Sequence, residues 1–554
     1  MCRDIPQLLY YLEQKAIFLR RYRHREYLKN IVPCVGFSAA CGLITGVVIF
    51  LFKFGAKKAE EASVWLYATA KTSPLYVALV FAALVIFALG MWLLHKHIAE
   101  VKGGGIPRSE GVLRGMLHFR WFKTLIGTIV GSMVSFFCGV PVGSEGPAVL
   151  IGTALGAMTA HTSRHFGARG RYVMTGGAGA GFAVATGAPF AGILFALEEI
   201  HKRFTPMLVV SVSVSVLAAT WVNRLLCAIY GMSATLFDLP ELGGFALSHV
   251  GYLLLLGLIV AIAVAIFDIS ITLFGALNKH FKRFLSAPVK LVLFFLIVGI
   301  FGFTLHDAIY SGHHTILEAI TMHPTLLLLA ALLVIRLVMM LFVTDSGATG
   351  GIFIPTLAIG ALFSALAARL LTAIGLPQEL YALTVLLGMC AFIGGTLRAP
   401  LTAAVLFVEL TGQFTDLFYV ALVIFTVNFI TELFHLTPFY DQALDNMLEA
   451  QNEGRTPTIA YFEMKVSPGA FVVGKPIRDI LWPASSVVVS VTHAHNQSTD
   501  TDNDGEKHLY VGDTLVLRSR YYDKDEICAL LASLVGKDHE IKITDYRHYH
   551  QHTH

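Results

Sequence analysis

The sequence contains few charged residues. Asp, Glu, Lys and Arg make up 14% of its 554 residues, hydrophobic residues make up 55%, and the mean hydropathy is +0.67. A soluble globular domain carries about 25% charged residues, so this composition excludes an ordinary soluble protein. Apolar runs long enough to cross about 30 Å of hydrocarbon recur between Ile31 and His435. We therefore predict a polytopic membrane protein.

Metal-ligand spacing and catalytic motifs are also missing. The seven cysteines show no paired spacing, so the sequence predicts neither a zinc site nor a disulfide framework. The apolar region has no P-loop, no Ser/His/Asp constellation and no metal-ligand cluster, so we expect no enzymatic activity and no metal. We expect no nucleic-acid partner either. No short apolar segment follows a few basic residues at the N-terminus, so a cleaved signal peptide is not expected.

Charge is concentrated at the two ends of the chain. Residues 1–30 carry seven Lys or Arg residues against three acids, which places the N-terminus in the cytoplasm by the positive-inside rule. Residues 455–554 hold 24 of the 78 charged residues, about twice the density of the rest. We therefore predict a basic N-terminal helix (1–30), a transmembrane domain (31–450), a cytoplasmic domain (455–540) and a His-rich tail (541–554).

The transmembrane domain contains an internal repeat. The segment "GSEGPAVLIG" aligns with "GIFIPTLAIG" at an offset of 208 residues, and "APFAGILFALE" aligns with "APLTAAVLFVE" at an offset of 211. The second match pairs Glu198 with Glu409, which indicates a shared structural role. Two related halves of about 210 residues are typical of transporters, whose substrate site lies where the halves meet. Chance similarity between Gly/Ala-rich helices is the alternative.

Four segments rich in glycine and proline predict helix starts inside the membrane. They are "GGGIP" (103–107), "GSEGP" (143–147), "GAP" (187–189) and "GGIFIP" (350–355). A helix N-terminus offers unpaired N–H groups and about half a positive charge, so converging helix ends can bind a bare anion without Lys or Arg. The segments therefore indicate an anion pathway. The alternative is close helix packing, which we prefer for "GGAGAG" (176–181).

These segments resemble those of the CLC family of chloride channels and proton-coupled chloride exchangers. The family's GSGIP, GK/REGP and GGIFxP motifs correspond to "GGGIP", "GSEGP" and "GGIFIP", in the same order, and "LTPFYDQAL" places Tyr440 at the family's tyrosine. The resemblance implies an all-α polytopic membrane protein of two inverted repeats of tilted and broken helices. It also implies a homodimer in membrane lipid, and we place it in a prokaryotic inner membrane with both termini cytoplasmic.

The resemblance assigns roles to individual residues. Glu145 corresponds to the gating glutamate and external proton carrier, with a purely structural capping role as the alternative. Glu199 corresponds to the internal proton glutamate of exchangers, the alternative being an ion pair with His201, Lys202 or Arg203. Tyr440 would donate its hydroxyl to the anion or, alternatively, anchor the chain at the lipid interface. The residues expected around the anion are Gly104, Gly105, Ile106, Ser144, Glu145, Gly146, Ile352, Phe353 and Tyr440.

Two residues depart from the family pattern. Ser144 stands where the family usually has Lys or Arg, so a cation beside Glu145 is missing. Gly104 replaces a serine whose hydroxyl would bind the anion, so we expect weaker and less selective chloride binding.

We interpret the chain as a chloride/proton antiporter whose substrates are chloride and protons. Glu199 favours this function over a passive voltage- or ligand-gated chloride channel of the same fold. The intact helix-start motifs speak against a ligand sensor without transport, and the proline of "GSEGP" speaks against a fluoride exporter.

The segment after Pro457 has a different pattern. Short β-rich runs followed by "KDEICALLASLVG" predict a small α+β domain. The segments "SPGAFVVGKPIRDI" and "VGDTLVLRS" resemble the TrkA-C (RCK-C) domain of potassium-uptake regulators, a ligand-binding fold. The resemblance implies a nucleotide ligand that regulates transport, with a dimerisation module as the alternative.

Overall fold

The computed structural model describes residues 5–545 except 163–167, 238, 240–241, 282–285, 323, 453–454, 485, 495–498, 501–504, 537 and 539–540. Cys2 and the tail from residue 546 lie outside the described residues.

Eight helices form the first half of the transmembrane domain: α1 (Ile5–Ala70), α2 (Pro74–His97), α3 (Gly105–Leu113), α4 (Trp121–Cys138), α5 (Glu145–Thr162), α6 (Ala168–Thr186), α7 (Pro189–Phe195) and α8 (Pro206–Tyr230). A π-helical turn, Ala196–Ile200, continues α7. Helix α1 has no break near residue 30, so the predicted N-terminal helix and the first span are one element. The helix continues through Pro33, and its segment suited to spanning a membrane is Val32–Ala70.

Eight further helices form the second half, and a ninth follows: α9 (Val250–Phe281), α10 (Ala287–Thr304), α11 (His313–Thr321), α12 (Leu326–Ser346), α13 (Phe353–Ala373), α14 (Tyr381–Leu397), α15 (Pro400–Thr411), α16 (Leu417–Leu433) and α17 (Phe439–Gln451). Nine helices in the described part of the chain are long and apolar enough to span a membrane. Helices α3, α5 and α7 are not among them, as the predicted broken helices require.

Proline and glycine fix many of these helix ends. Proline occupies one of the first two positions of α2, α7, α8, α10 and α15, where its missing N–H would be unpaired in any case. Left-handed glycines end α4, α8, α12 and α15, because glycine adopts positive φ at little cost. Local sequence therefore determines where these helices begin and end.

The two halves correspond helix by helix, α1–α8 with α9–α16. Helices α11 and α13 start 208 residues after α3 and α5, and α15 and α16 start 211 residues after α7 and α8. These are the two offsets found in the sequence. The equivalent residues Gly143 and Gly351 form an antiparallel bridge, with N–H···O distances of 2.7 and 2.8 Å. An antiparallel bridge between equivalent residues is the contact expected at a two-fold axis that relates inverted halves.

The described part of the C-terminal α+β domain contains one α-helix, α18 (Lys524–Val535), and one antiparallel sheet. The strands are β1 (Thr458–Lys465), β2 (Ser486–Thr492), β3 (Thr499–Asp500), β4 (Thr514–Tyr521) and β5 (Lys542–Asp545), in the order β3-β2-β4-β1-β5. Strand β5 pairs with β1 from Lys542 to Asp545, so the domain extends past the boundary predicted at residue 540. The first part of the predicted tail belongs to the sheet because its backbone completes the free edge of β1.

Candidate anion and proton site

Every residue predicted at the anion site lies at the start of a helix. Gly104 caps α3, whose first residues are Gly105 and Ile106. Ser144 precedes α5, which begins with Glu145 and Gly146. Ile352 caps α13 ahead of Phe353, and Tyr440 is the second residue of α17. The four helices therefore present their N-terminal N–H groups from these positions.

Three of these helix starts converge. A Cβ on Gly105 would collide with the carbonyl oxygen of Gly146, so α3 and α5 meet at backbone contact. A Cβ on Gly146 would lie 2.7 Å from the Cα of Gly351, just before α13. A side chain at either glycine would separate the helix ends. The glycines therefore bring the partial positive charges of α3, α5 and α13 together, an arrangement suited to a bare anion.

The Glu145 carboxylate lies at the start of its own helix. Its side chain is only 2% exposed, and its Oε1 accepts a hydrogen bond of 3.1 Å from the Ser144 hydroxyl. Its Oε2 lies against Gly143, where a Cβ would collide with it, and has no hydrogen-bond partner among the described residues. A buried carboxylate at a helix N-terminus takes the place that an anion would take.

Tyr440 lies inside the protein. Its side chain is 1% exposed, so it does not anchor the chain at a lipid interface. Helix α17 packs against α3, and Tyr440 interacts electrostatically with both Glu145 and Glu199. Both predicted proton carriers are therefore close enough for their charges to act on Tyr440.

Glu199 lies in the π-helical turn after α7. Its side chain is 1% exposed, and its Oε1 has no hydrogen-bond partner among the described residues. The three residues that follow are bound elsewhere: the His201 ring contacts the Thr175 hydroxyl at 3.0 Å, and Arg203 donates to the carbonyl of Ile480 at 3.0 Å. Lys202 pairs with Glu110 and Asp441. The described residues include no salt bridge to Glu199, although the Lys202 ammonium does act on its charge electrostatically.

Glu110 is a buried carboxylate that the sequence analysis did not single out. It lies on α3 with 0% exposure, and its Oε1 accepts from Arg114 at 2.6 Å and lies 3.3 Å from the Lys202 ammonium. Glu110 also interacts electrostatically with Glu199. The signal was present, because a carboxylate inside an apolar domain is a functional candidate by the same argument as Glu145.

Glu198 and Glu409 have the shared structural role predicted from the repeat. The Glu198 carboxylate accepts from the backbone N–H groups of Leu401 and Thr402, at 3.0 and 2.7 Å, at the start of α15. The Glu409 carboxylate accepts from Phe190 and Ala191, at 2.9 and 2.7 Å, at the start of α7. Each half therefore caps a helix of the other half.

A family model described as a voltage gated chloride channel matches residues 86–432. The chain belongs to this family, the CLC family. Tyr440 and the C-terminal domain lie beyond the matched residues.

Relatives and solved structures agree with this assignment. The H+/Cl− exchange transporters ClcA of Vibrio parahaemolyticus and Vibrio cholerae are 29% and 30% identical to this chain, over 74% and 75% of it and 89% of their own lengths. A slow cyanobacterial Cl−/H+ antiporter is 28% identical, with a TM-score of 0.70 over 76% of this chain and 99% of that one. A CLC-type fluoride/proton antiporter, 20% identical with a TM-score of 0.59 over 73% of this chain and 96% of that one, shares the fold.

The C-terminal domain of this CLC protein contacts Arg203 and Arg114, which lie four residues after Glu199 and Glu110, and Arg171 of α6. Arg203 and Arg171 donate to the carbonyls of Ile480 and Leu481, at 3.0 and 3.3 Å. The backbone N–H of Ala484 donates to the Arg114 carbonyl at 3.3 Å. We call this side of the transmembrane domain the domain face. The C-terminal domain is therefore hydrogen-bonded to the segments that follow Glu199 and Glu110.

Two titratable groups lie in this interface. His118, before α4, contacts Glu526 of α18 at 2.6 Å, and this hydrogen bond raises the pKa of His118. The Lys475 ammonium lies 3.0 Å from the centroid of the Phe471 ring, and burial lowers the pKa of Lys475 to about 7. The strength of the contact between His118 and Glu526 therefore depends on the charge of the imidazole.

Proposed function

We propose that this CLC protein is a chloride/proton antiporter. The observation that carries the proposal is the pair of buried carboxylates, Glu145 and Glu199, with Tyr440 in electrostatic contact with both. A passive channel needs an anion path, whereas an exchanger also needs a path for protons. Two buried carboxylates that form no salt bridge within the described part of the chain serve that second need. The exchangers among the relatives support the same choice.

The geometry suggests how the two ions compete. Chloride binds where α3, α5 and α13 meet, held by backbone N–H groups at Ile352 and Phe353 and by the Tyr440 hydroxyl. An ionised Glu145 occupies the start of α5 and excludes the anion, because both need the same helix end. Protonation removes the charge and frees the side chain to leave. Glu199 exchanges protons with the solvent on the side of the domain face.

The test uses purified protein in liposomes, with chloride flux and internal pH followed together. Glu145→Gln should keep chloride flux but lose chloride-driven proton uptake, because glutamine mimics the protonated acid and cannot ionise. Glu199→Gln should also lose proton coupling. Glu61→Gln is the matched control, since Glu61 is exposed on α1 and pairs with Lys58. Proton uptake that persists in Glu145→Gln would refute the exchange mechanism.

We infer an orientation from the charge distribution and an assembly from the resemblance. The basic N-terminal segment and the positive-inside rule support a domain face in the cytoplasm of a prokaryotic inner membrane, with both termini there. The resemblance supports a homodimer, and large aromatic side chains exposed on α8 and α16, including Trp221 and Phe429, suit a protein partner in the bilayer. Cross-linking within native membranes tests the dimer. Detection of only the monomer at every protein concentration would exclude it.

We further infer that the C-terminal domain, which resembles TrkA-C, binds a regulatory nucleotide. A cavity of about 730 Å³ lies between this domain and the start of α8, lined among others by Arg203, Arg478 and Trp482. Two guanidinium groups beside an indole ring suit a phosphate and a base. Titration with ATP should change the tryptophan fluorescence in a saturable way, and the variant Trp482→Phe should lack this change. Absence of any response in binding and in flux would contradict this ligand.

A further inference from the structure

Residue 144, next to Glu145, is a serine and carries no positive charge. We propose that Lys53 of α1 provides this positive charge, that it positions the Glu145 carboxylate and that it attracts the anion. The inference rests on the proposed function and names a further residue for the same site.

The position of Lys53 requires an explanation. It lies within the long apolar segment of α1, Val32–Ala70, and is partly buried. Its ammonium donates a hydrogen bond of 3.0 Å to the carbonyl of Val184 in the last turn of α6. Carbonyl groups at a helix C-terminus carry partial negative charge, so this contact fixes the ammonium. A cation at membrane depth is costly and marks a functional position by default.

Helices α5 and α6 pack at backbone contact, because a Cβ on Gly181 would collide with the carbonyl oxygen of Ala148. This packing places Val184, one turn after Gly181, and the Lys53 ammonium bound to it next to the start of α5 and Glu145. The Lys53 and Glu145 side chains interact electrostatically, and Lys53 forms no salt bridge within the described part of the chain. The Lys53 ammonium therefore acts on Glu145 from a distance, without tying it down. A direct salt bridge would hold the carboxylate at the start of α5, whereas a longer-range attraction leaves it free to exchange with the anion.

Other titratable groups around Glu145 do not supply a positive charge. Glu60, two turns beyond Lys53 on α1, and Tyr440 on α17 interact with Glu145 and add negative charge when ionised. Cys227 on α8 faces Lys53. Lys58 on α1 is exposed and pairs with Glu61 at 2.7 Å. Among the described cations, Lys53 alone is found to act on Glu145.

The same cation can therefore come from either of two chain positions. A lysine at residue 144 would stand beside Glu145 along the sequence, whereas Lys53 reaches it from a neighbouring helix that packs against α5 and α6. The serine at 144 then keeps a different task, because its hydroxyl donates to Glu145 Oε1.

The experiment measures chloride flux against pH and the chloride KM in liposomes for wild type, Lys53→Met, Lys53→Arg, Ser144→Lys and the double variant Lys53→Met/Ser144→Lys. Without the cation, Glu145 is protonated more readily, so the midpoint of acid activation in Lys53→Met should rise by about one pH unit. The chloride KM should rise as well. Lys53→Arg and the double variant should restore both values. Ser144→Lys alone, which leaves Lys53 in place, should shift the midpoint to lower pH.

Lys58→Met is the matched control and should behave as wild type. A wild-type pH profile in Lys53→Met overturns the inference. A shifted midpoint that remains in the double variant also overturns it, because a lysine at residue 144 could replace the charge of Lys53 but not a structural role. If Lys53→Met does not fold, an unshifted midpoint in Ser144→Lys overturns it. Absence of proton coupling in the wild type would refute the exchanger proposal. It would not by itself refute the role of Lys53, which is tested by differences in the pH midpoint between variants.

Discussion

A serine at position 104 should strengthen chloride binding. Gly104 caps α3 with φ −72° and ψ 134°, a conformation that any residue adopts. A Cβ placed there would lie 3.6 Å from Ile352 Cγ1 and 3.8 Å from the carbonyl oxygen of Gly350, which are ordinary contacts. The neighbouring Gly105 has no such space. Gly104→Ser is therefore a substitution that the backbone and the packing both permit.

The size of the effect follows from one added hydrogen bond. A hydroxyl that donates to a charged partner contributes about 1.5–3 kcal/mol, or roughly ten- to a hundredfold in the dissociation constant. The lower end is the better expectation, because N–H groups at Ile352 and Phe353 and the Tyr440 hydroxyl already contribute to the proposed site. We therefore expect chloride binding about tenfold tighter.

The assay is calorimetric titration of chloride into wild type, Gly104→Ser and Gly104→Ala, with chloride and nitrate flux measured in parallel. Alanine is the matched control, since it fills the same space without a hydroxyl. The serine variant should bind chloride more tightly than the alanine variant and favour chloride over nitrate. Equal affinities for serine and alanine would show that the anion does not contact residue 104, and the proposed central site would be wrong.

Two further predictions concern the frame around the site. Glu198→Ala and Glu409→Ala should each lower the free energy of unfolding by about 2–4 kcal/mol, because each leaves two helix N–H groups unpaired. The melting temperature of the purified protein should fall accordingly. An unchanged melting temperature would contradict the capping role. The hydrogen bond to Glu526 raises the pKa of His118. This bond should therefore stabilise docking of the C-terminal domain to its full extent below about pH 6.5, the ordinary pKa of histidine. The stabilisation should disappear as the pH rises through the raised pKa of His118. His118→Gln should remove that pH dependence from hydrogen exchange in α18, and its persistence would contradict the assignment.

The sequence by itself determined the local features of the molecule. Composition identified a membrane protein, and proline and glycine identified the helix starts at Gly105, Glu145, Phe353 and Pro189, because these residues act through the backbone of their own segment. The repeat predicted the correspondence of the halves at the offsets that the structure shows. It also predicted the shared role of Glu198 and Glu409, although not the helix ends that they cap.

Only the tertiary structure decided which of these features meet. Lys53 is an isolated lysine in an apolar run until α1 packs against α6 and brings it to Val184, 131 residues away, and within reach of Glu145. Lys202 was a candidate partner for Glu199, and the fold gives it salt bridges to Glu110 and Asp441 while it still acts on Glu199 electrostatically. Electrostatic contacts depend on distance in space, and a local pattern contains no information about which distant segment fills that space.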